Sequence, residues 1–255
     1  MKVQVLIATM HQKDYSLLEK MNIQTDAIVG NQTDENSVKE FEWHGNHIKW
    51  LSFNEKGVGL NRNNALMRAD GDICLFADDD MVYVDGYEDI LIKLFDKNPK
   101  VDVICFNLIE KNSRRKQIRE YTKVGWYNYL TYGTARIAVK LSSVKKNGIY
   151  FNQCFGGGTE HCHGEDNLFL TACLRNGLKI IAVPVALAEL KDERESTWNK
   201  GYDKKYLSDQ GALYKTISRH LWRLLCLQDA IRHSQEYGVS IKKALLIMIN
   251  GGKHK

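Results

Sequence analysis

The 255-residue chain has only 2 Pro, so no Pro-rich linker divides it. None of its 6 Cys forms a C-x-x-C pair, and a disulfide framework is not expected. Cys74 and Cys105 lie in apolar runs and read as small core residues. No apolar run approaches the ~18 residues that span a bilayer. Charge of one sign is also scarce. Lys+Arg number 36 against 31 Asp+Glu, a net +5, which excludes the dense basic surface of a dedicated nucleic-acid binder. Residues 1–10 turn polar too soon for a signal peptide, so the expected compartment is the cytoplasm.

What is present is ordinary for a soluble globular protein: 44% apolar and 26% charged residues. That excludes disorder, collagen and coiled coil as descriptions of the whole. The length suffices for a large core. The charge is uneven. Residues 199–255 carry eleven Lys/Arg and four Asp/Glu, a net +7, which leaves −2 for the rest. A basic tail suits an anionic surface such as a membrane, or a solvated helix face.

Strand-length apolar runs alternate with helix-period segments over residues 1–207. This is the pattern of an α/β fold with a mostly parallel sheet flanked by helices. Strands are predicted at 3–8, 27–29, 48–53, 73–77, 101–109, 133–141 and 179–185. A helix follows from Leu17, with Ser16 and Glu19 spaced as a capping box. A second spans 61–69, with Asn61 as cap and Gly71 as stop. A third spans 85–97, capped by Asp85, with Ile90, Leu91, Leu94 and Phe95 on one face. A fourth spans 164–176 and stops at Gly177. Residues 111–123 read as a polar loop. Phe155-Gly156-Gly157-Gly158-Thr159 reads as a flexible segment. Residues 208–255 read as a basic helical extension, with Ile217, Leu221, Leu224 and Leu225 on one face and Ile241, Ala244, Leu245 and Met248 repeating the spacing.

Three clusters carry chemistry. Asp78-Asp79-Asp80 ends the apolar run 73–77, and ligands of open α/β sheets bind beyond the carboxyl ends of strands. Adjacent carboxylates repel unless solvated or neutralised by a cation. On extended backbone Asp78 and Asp80 share a face while Asp79 points elsewhere. Hard oxygen ligands suit Mg²⁺ or Mn²⁺; the other reading is a loop whose acids cap the next helix. Gly57-Val58-Gly59 leads into a helix N-terminus, where backbone N–H groups meet anions, and Arg62 adds a fork suited to phosphate. The alternative is a plain turn with Arg62 paired to an acid. Glu165 and Asp166 follow the glycines. They either answer the helix dipole or supply a general base on a mobile loop, whose pKa the dipole would lower and burial would raise. His161-Cys162-His163 lacks the second ligand pair of a structural zinc site.

The order of these pieces resembles family 2 glycosyltransferases of the GT-A fold, of bacterial polysaccharide type. Gly71-Asp72-Ile73-Cys74-Leu75-Phe76-Ala77-Asp78-Asp79-Asp80 resembles their strand and D-x-D motif. Val5-Leu6-Ile7-Ala8-Thr9 is similar to their first strand, and residues 59–65 to their Ser-Arg-Asn segment, with Asn61 where Ser is frequent. Gly164-Glu165-Asp166 matches their Glu-Asp motif, and Glu195-Ser196-Thr197-Trp198 resembles a downstream acceptor-side segment. The resemblance covers residues 3–214. It departs at Gly30-Asn31-Gln32, where an acidic pair often contacts the base. An amide can still hydrogen-bond a pyrimidine, so uridine remains favoured.

The resemblance implies that Thr9, Asn31, Gln32, Arg62, Asp78 and Asp79 hold the nucleotide. Asp78 and Asp80 would bind the divalent cation, Mn²⁺ or Mg²⁺. Asp166 would take the proton of the acceptor hydroxyl, with Glu165 orienting it. Trp198 would be a sugar platform or a half-buried core aromatic. The implied reaction is inverting transfer of a sugar from a nucleoside-diphosphate donor, a UDP-sugar favoured, to a hydroxyl of a glycan or lipid-linked acceptor in polysaccharide biosynthesis. Peripheral membrane contact would run through the helices of 208–255. A nucleotidyltransferase is one alternative, although Met10-His11-Gln12-Lys13 stands where its Gly-rich, Arg-containing loop would be. A catalytically silent carbohydrate-binding or scaffold subunit is the other.

Overall fold

In the computed structural model, which describes residues 1–110, 117–191 and 201–253, one ten-stranded sheet carries helices on both faces. Its first half holds β1 (Val3–Met10), β2 (Asp26–Gln32), β3 (Ser37–Trp43), β4 (Asn46–Phe53), β5 (Ile73–Asp78) and β6 (Met81–Tyr83), with α1 (Ser16–Lys20) and α2 (Val58–Arg68) between them. There follow α3 (Tyr87–Lys97), β7 (Val103–Ile109), β8 (Thr122–Val124), β9 (Ile137–Lys140), α4 (Leu141–Lys146), α5 (Glu165–Arg175) and β10 (Ile180–Leu190). The chain closes with α6 (Lys204–Ile217), α7 (Trp222–Arg232), α8 (Ser234–Tyr237) and α9 (Ile241–Lys253).

The strand order is β3-β4-β2-β1-β5-β9-β7-β10-β6, with β8 paired to β10. The sheet is mixed. Strands β4, β2, β1 and β5 run parallel, as do β7 and β10. Strands β3, β6, β8 and β9 join antiparallel. Period two divides the core. Ile73, Leu75 and Ala77 of β5 face the layer containing Leu18 of α1 and Leu91 and Phe95 of α3. Cys74 and Phe76 face the layer containing Leu66 of α2 and Phe169 of α5. Each fully buried large apolar side chain contributes about 1.5–3 kcal/mol, so the two layers hold the sheet between them. The same alternation sends Asp78, the last residue of β5, toward α2 and α5.

Several helix starts differ from the sequence reading. Ser16 is already helical, and its N–H donates to Asp14 Oδ1 at 2.9 Å. Asn61 lies inside α2, which begins at Val58, three residues before the predicted start, with Gly57 at the cap position. Gly86, in the left-handed region, caps α3, while Asp85 accepts from Asn22 Nδ2 at 2.9 Å. Ser16 donates to a neighbouring side chain, Asp85 is held by a distant donor, and α2 begins a turn before Asn61 is reached. The hairpin strand β3 and the short β6 and β8 were not foreseen; β8 begins within the segment 111–123 read as a loop, of which residues 111–116 lie outside the described residues. β3 is partly or fully exposed along its length, and β6 has three residues.

The C-terminal helices bury their own cluster, including Leu207, Leu213, Trp222, Cys226 and Met248, with Phe155 from the glycine-rich loop. Ile217 and Leu221 do not share a helix face. The chain breaks between α6 and α7, which leaves Ile217 buried and Leu221 56% exposed. Among the described residues no helix is long and apolar enough to cross a membrane.

Candidate active site

The site assembles around Arg62. It lies on α2, and its side chain is 5% exposed. Its Nη2 donates to Asp78 Oδ1 at 2.6 Å and its Nη1 to Glu165 Oε1 at 2.9 Å. One guanidinium thus joins the end of β5 to the start of α5, which lies 103 residues beyond Arg62 in the sequence. Burial disfavours its charge, but the carboxylates of Asp78 and Glu165 outweigh that and raise its pKa. The ring of Phe151, 5.5 Å from the guanidinium, packs against it. Arg62 therefore organises carboxylates within the protein and is not an exposed phosphate fork.

The turn after β5 alters the predicted geometry of the acids. Asp79 and Asp80 form that turn, so they do not continue the strand. Asp79 does not point away from the site residues: its Oδ2 accepts from Thr9 Oγ1 at 2.7 Å. Register explains this contact, because Ala8 pairs with Asp78 in the parallel β1–β5 ladder. Asp80 is half-buried, and its carbonyl accepts from the Lys191 N–H at 2.9 Å. The three acids supply oxygen donors within one turn at a strand end, and the Asp78 side chain is 40% exposed. That donor set fits a hard divalent cation.

Two of the residues expected at the nucleotide spend their polar atoms inside the protein. Asn31 is 2% exposed; it accepts from the Gln12 N–H at 3.0 Å and donates to the Gln12 carbonyl at 3.1 Å. Gln32 Oε1 accepts from the Gly57 N–H at 2.8 Å, and the Val58 N–H donates to the Gly157 carbonyl at 3.0 Å. The N–H groups of Gly57 and Val58, where α2 begins, are thereby used within the protein.

Asp166 lies at the start of α5, beside Glu165. Burial first, and the neighbouring Glu165 charge second, push its pKa up to about 7, against the lowering effect of the Asn167 N–H that donates to Oδ1 at 2.7 Å. Burial thus outweighs the helix start, which the sequence left open. A carboxylate poised near neutral pH is matched to general-base work. Its Oδ2 lies 3.4 Å from where a side chain on Gly133 would begin.

The glycine-rich segment is pinned. The Gly156 N–H donates to the His161 carbonyl at 2.8 Å, and the His161 N–H to the Cys154 carbonyl at 3.1 Å. Gly156 has φ +99°, and a Cβ there would stand 2.6 Å from Val58 Cγ1 and 2.7 Å from Glu165 Oε2. Glycine is required by close approach and backbone shape, not by mobility. The loop is anchored by Asp209 of α6, a residue the sequence did not single out. Asp209 faces His161 Nδ1 at 3.0 Å, accepts from the Cys162 N–H at 2.9 Å and pairs with Lys205 at 2.6 Å. No local signal marks it, since a helical Lys205–Asp209 pair looks like an ordinary surface pair. Trp198 and the segment around it lie outside the described residues.

A mixed sheet between helical layers, with carboxylates at the end of β5 facing others at the start of α5, defines a GT-A-like fold. The description Glycosyl transferase family 2 matches residues 15–154, more than half of the chain. The chain belongs to that family. The match stops short of Glu165 and Asp166. The fold is similar to crystal structures of S. aureus TarS. TarS 1–349 in complex with UDP-GlcNAc superposes with a TM-score of 0.65 at 14% identity, covering 100% of this chain and 93% of that one. The complex of TarS 1–349 with UDP gives 0.62 at 19% identity over 91% and 72%. A longer TarS structure gives 0.62 at 18% identity over 91% of this chain, which spans 43% of that one. Identities this low define the fold. No curated protein matches the chain.

Proposed function

We propose that this glycosyltransferase transfers a sugar from a nucleoside-diphosphate donor to an acceptor hydroxyl with inversion. A UDP-sugar is the favoured donor, and a glycan or lipid-linked molecule in polysaccharide biosynthesis the acceptor. The carrying observation is the Arg62 bridge, which sets the acids of β5 beside Glu165 and Asp166. The TarS complexes with UDP-GlcNAc and UDP support the uridine assignment.

In this reading Asp78 and Asp80 hold Mn²⁺ or Mg²⁺, with Asp79 fixed by Thr9 beside them. A divalent cation held there would supply positive charge against the departing diphosphate. Arg62 holds Glu165 in place, and burial, with like-charge repulsion from Glu165 added to it, keeps the neighbouring Asp166 basic. Asp166 Oδ2 accepts the proton of the acceptor hydroxyl as its oxygen attacks the anomeric carbon. Thr9 and Gln12, linked at 2.9 Å, line the end of β1 on the donor side. The acceptor is presented at an anionic lipid surface. Leu221, Leu224 and Ile231 are 56%, 63% and 56% exposed, with exposed Arg219, Arg223 and Arg232 around them. Apolar wedges among cations fit that interface.

The test is release of nucleoside diphosphate from a panel of UDP-sugars, with and without Mn²⁺, in the presence of glycan or lipid-linked acceptors. Metal-dependent release coupled to acceptor glycosylation, with inverted anomeric configuration, is expected. Release of pyrophosphate, or donor binding with no transfer to any acceptor, overturns the proposal.

A further inference from the structure

Three unlike metal-ligating groups meet near the start of α5, two from the chain just before Asp166 and one from α6. Cys162 Sγ, His163 and an Asp209 carboxylate oxygen offer ligand atoms within 4.8 Å of one another. The orientation of His163 follows from its neighbours. Asp229 accepts from the hydroxyls of Tyr214 and Tyr237 and from Gln210 Nε2, the last at 2.9 Å. A carboxylate only accepts, so the Gln210 amide nitrogen faces Asp229 and its oxygen faces His163. That oxygen lies 2.7 Å from His163 Nε2, which therefore carries the ring proton. Nδ1 is left with its lone pair, 3.3 Å from Cys162 Sγ. Burial lowers the His163 pKa, which keeps the ring neutral. An imidazole that donates its outer N–H to a fixed carbonyl is oriented as metal-bound imidazoles are. Asp209 is 2% exposed and stays ionised: burial pushes its pKa up, but the bonds to His161 and Lys205 outweigh this and hold it well below the usual range.

We propose that Cys162 Sγ, His163 Nδ1 and the Asp209 carboxylate form a zinc site. Thiolate and imidazole together select Zn²⁺ over Mg²⁺ or Mn²⁺. Three protein ligands leave a fourth position open to water or a further ligand. The sequence run 161–163 lacked a distant partner, and α6 supplies it. Zinc–ligand bonds of about 2.0–2.3 Å place tetrahedral ligand atoms roughly 3.3–3.7 Å apart, so side-chain shifts of about 1 Å close the site. Binding sends the Cys162 proton to solvent, a cost because burial has pushed that thiol up to about 11. The Lys205 ammonium, 2.6 Å from Asp209 on a side chain 57% exposed, swings into water. The incoming dication then balances one thiolate and one carboxylate. The site is distinct from the oxygen-only turn after β5 and does not rest on the glycosyl-transfer reading.

The full chain is titrated with Co²⁺, a spectroscopic stand-in for Zn²⁺, and with Zn²⁺ by calorimetry, in a Cys154→Ser background that removes the exposed thiol. A sulfur-to-cobalt charge-transfer band that saturates at one equivalent and is bleached by Zn²⁺ is expected. The carboxylates after β5 have no sulfur and give no such band. Cys162→Ser abolishes the band, and Gln210→Ala weakens Zn²⁺ binding about 10–100-fold. No band in the parent protein overturns the site without need of any further variant. A band that persists in Cys162→Ser, or Zn²⁺ affinity unchanged in Gln210→Ala, overturns it as well.

Discussion

Asp166 carries the clearest residue-level consequence. Asp166→Asn should abolish transfer and leave donor affinity within about twofold, as measured by calorimetry with the nucleotide sugar. Wild-type turnover in that variant removes the base assignment. The raised pKa also fixes two pH profiles. Transfer should rise with pH through about 7 as the base ionises. A carboxyl whose folded pKa is raised contributes stability at low pH that is lost as pH climbs through its folded value. The stability of Asp166→Asn relative to wild type should therefore increase between about pH 4 and pH 7 and level off above, followed by thermal unfolding. Arg62→Met leaves Glu165 buried and Asp78 half-exposed beside each other without their cation. Breaking a buried pair costs about 3–5 kcal/mol; the 40% exposure of Asp78 reduces this toward about 2–3 kcal/mol. Denaturant unfolding measures it, and a change under about 1 kcal/mol would show that water replaces the guanidinium. The residue types at this site were legible locally: an acid triplet after an apolar run, an Arg in a Gly-rich helix start, an acidic pair before a helix. Their pairing was not, because Arg62 and Glu165 are brought together by the packing of α2 and α5 on one sheet face.

At the scale of elements, strand positions were more legible than helix ends. A buried strand such as β5 declares itself through a continuous apolar run, since burial on both faces constrains every residue. A helix start depends on which donors and acceptors stand nearby, so Ser16, Asn61 and Asp85 looked like caps and serve elsewhere. The exposed β3 and three-residue β6 carried too little pattern to show. The packing of α6 on α9 rests on glycines. A Cβ on Gly211 would stand 1.8 Å from the Met248 carbonyl oxygen, and one on Gly251 2.1 Å from that of Ser208. The two backbones touch, and no rotamer relieves the clash. Gly211→Val should cost at least about 3 kcal/mol, the upper end of overpacking, and expose the Trp222 environment to solvent. Unchanged melting and tryptophan fluorescence would contradict this contact.

For the molecule as a whole, the basic terminal helices sit on a core of their own and still show an apolar, cationic face. Sedimentation with vesicles should therefore depend on anionic lipid and fall as salt rises. Leu224→Glu should reduce binding without altering thermal stability, because that side chain is 63% exposed. Equal binding to neutral and anionic vesicles, or none to either at low salt, rules the surface out. The sequence by itself determined the layered α/β architecture, the central strands and the chemical identity of the acids, because periodic burial and residue type are local properties of the chain. The tertiary structure alone decided which acid meets which cation, that burial overrides the helix start at Asp166, and that Asp209 of α6 anchors the loop before α5. Those outcomes depend on distances between segments far apart in sequence, and only the packing of helices on the sheet sets such distances.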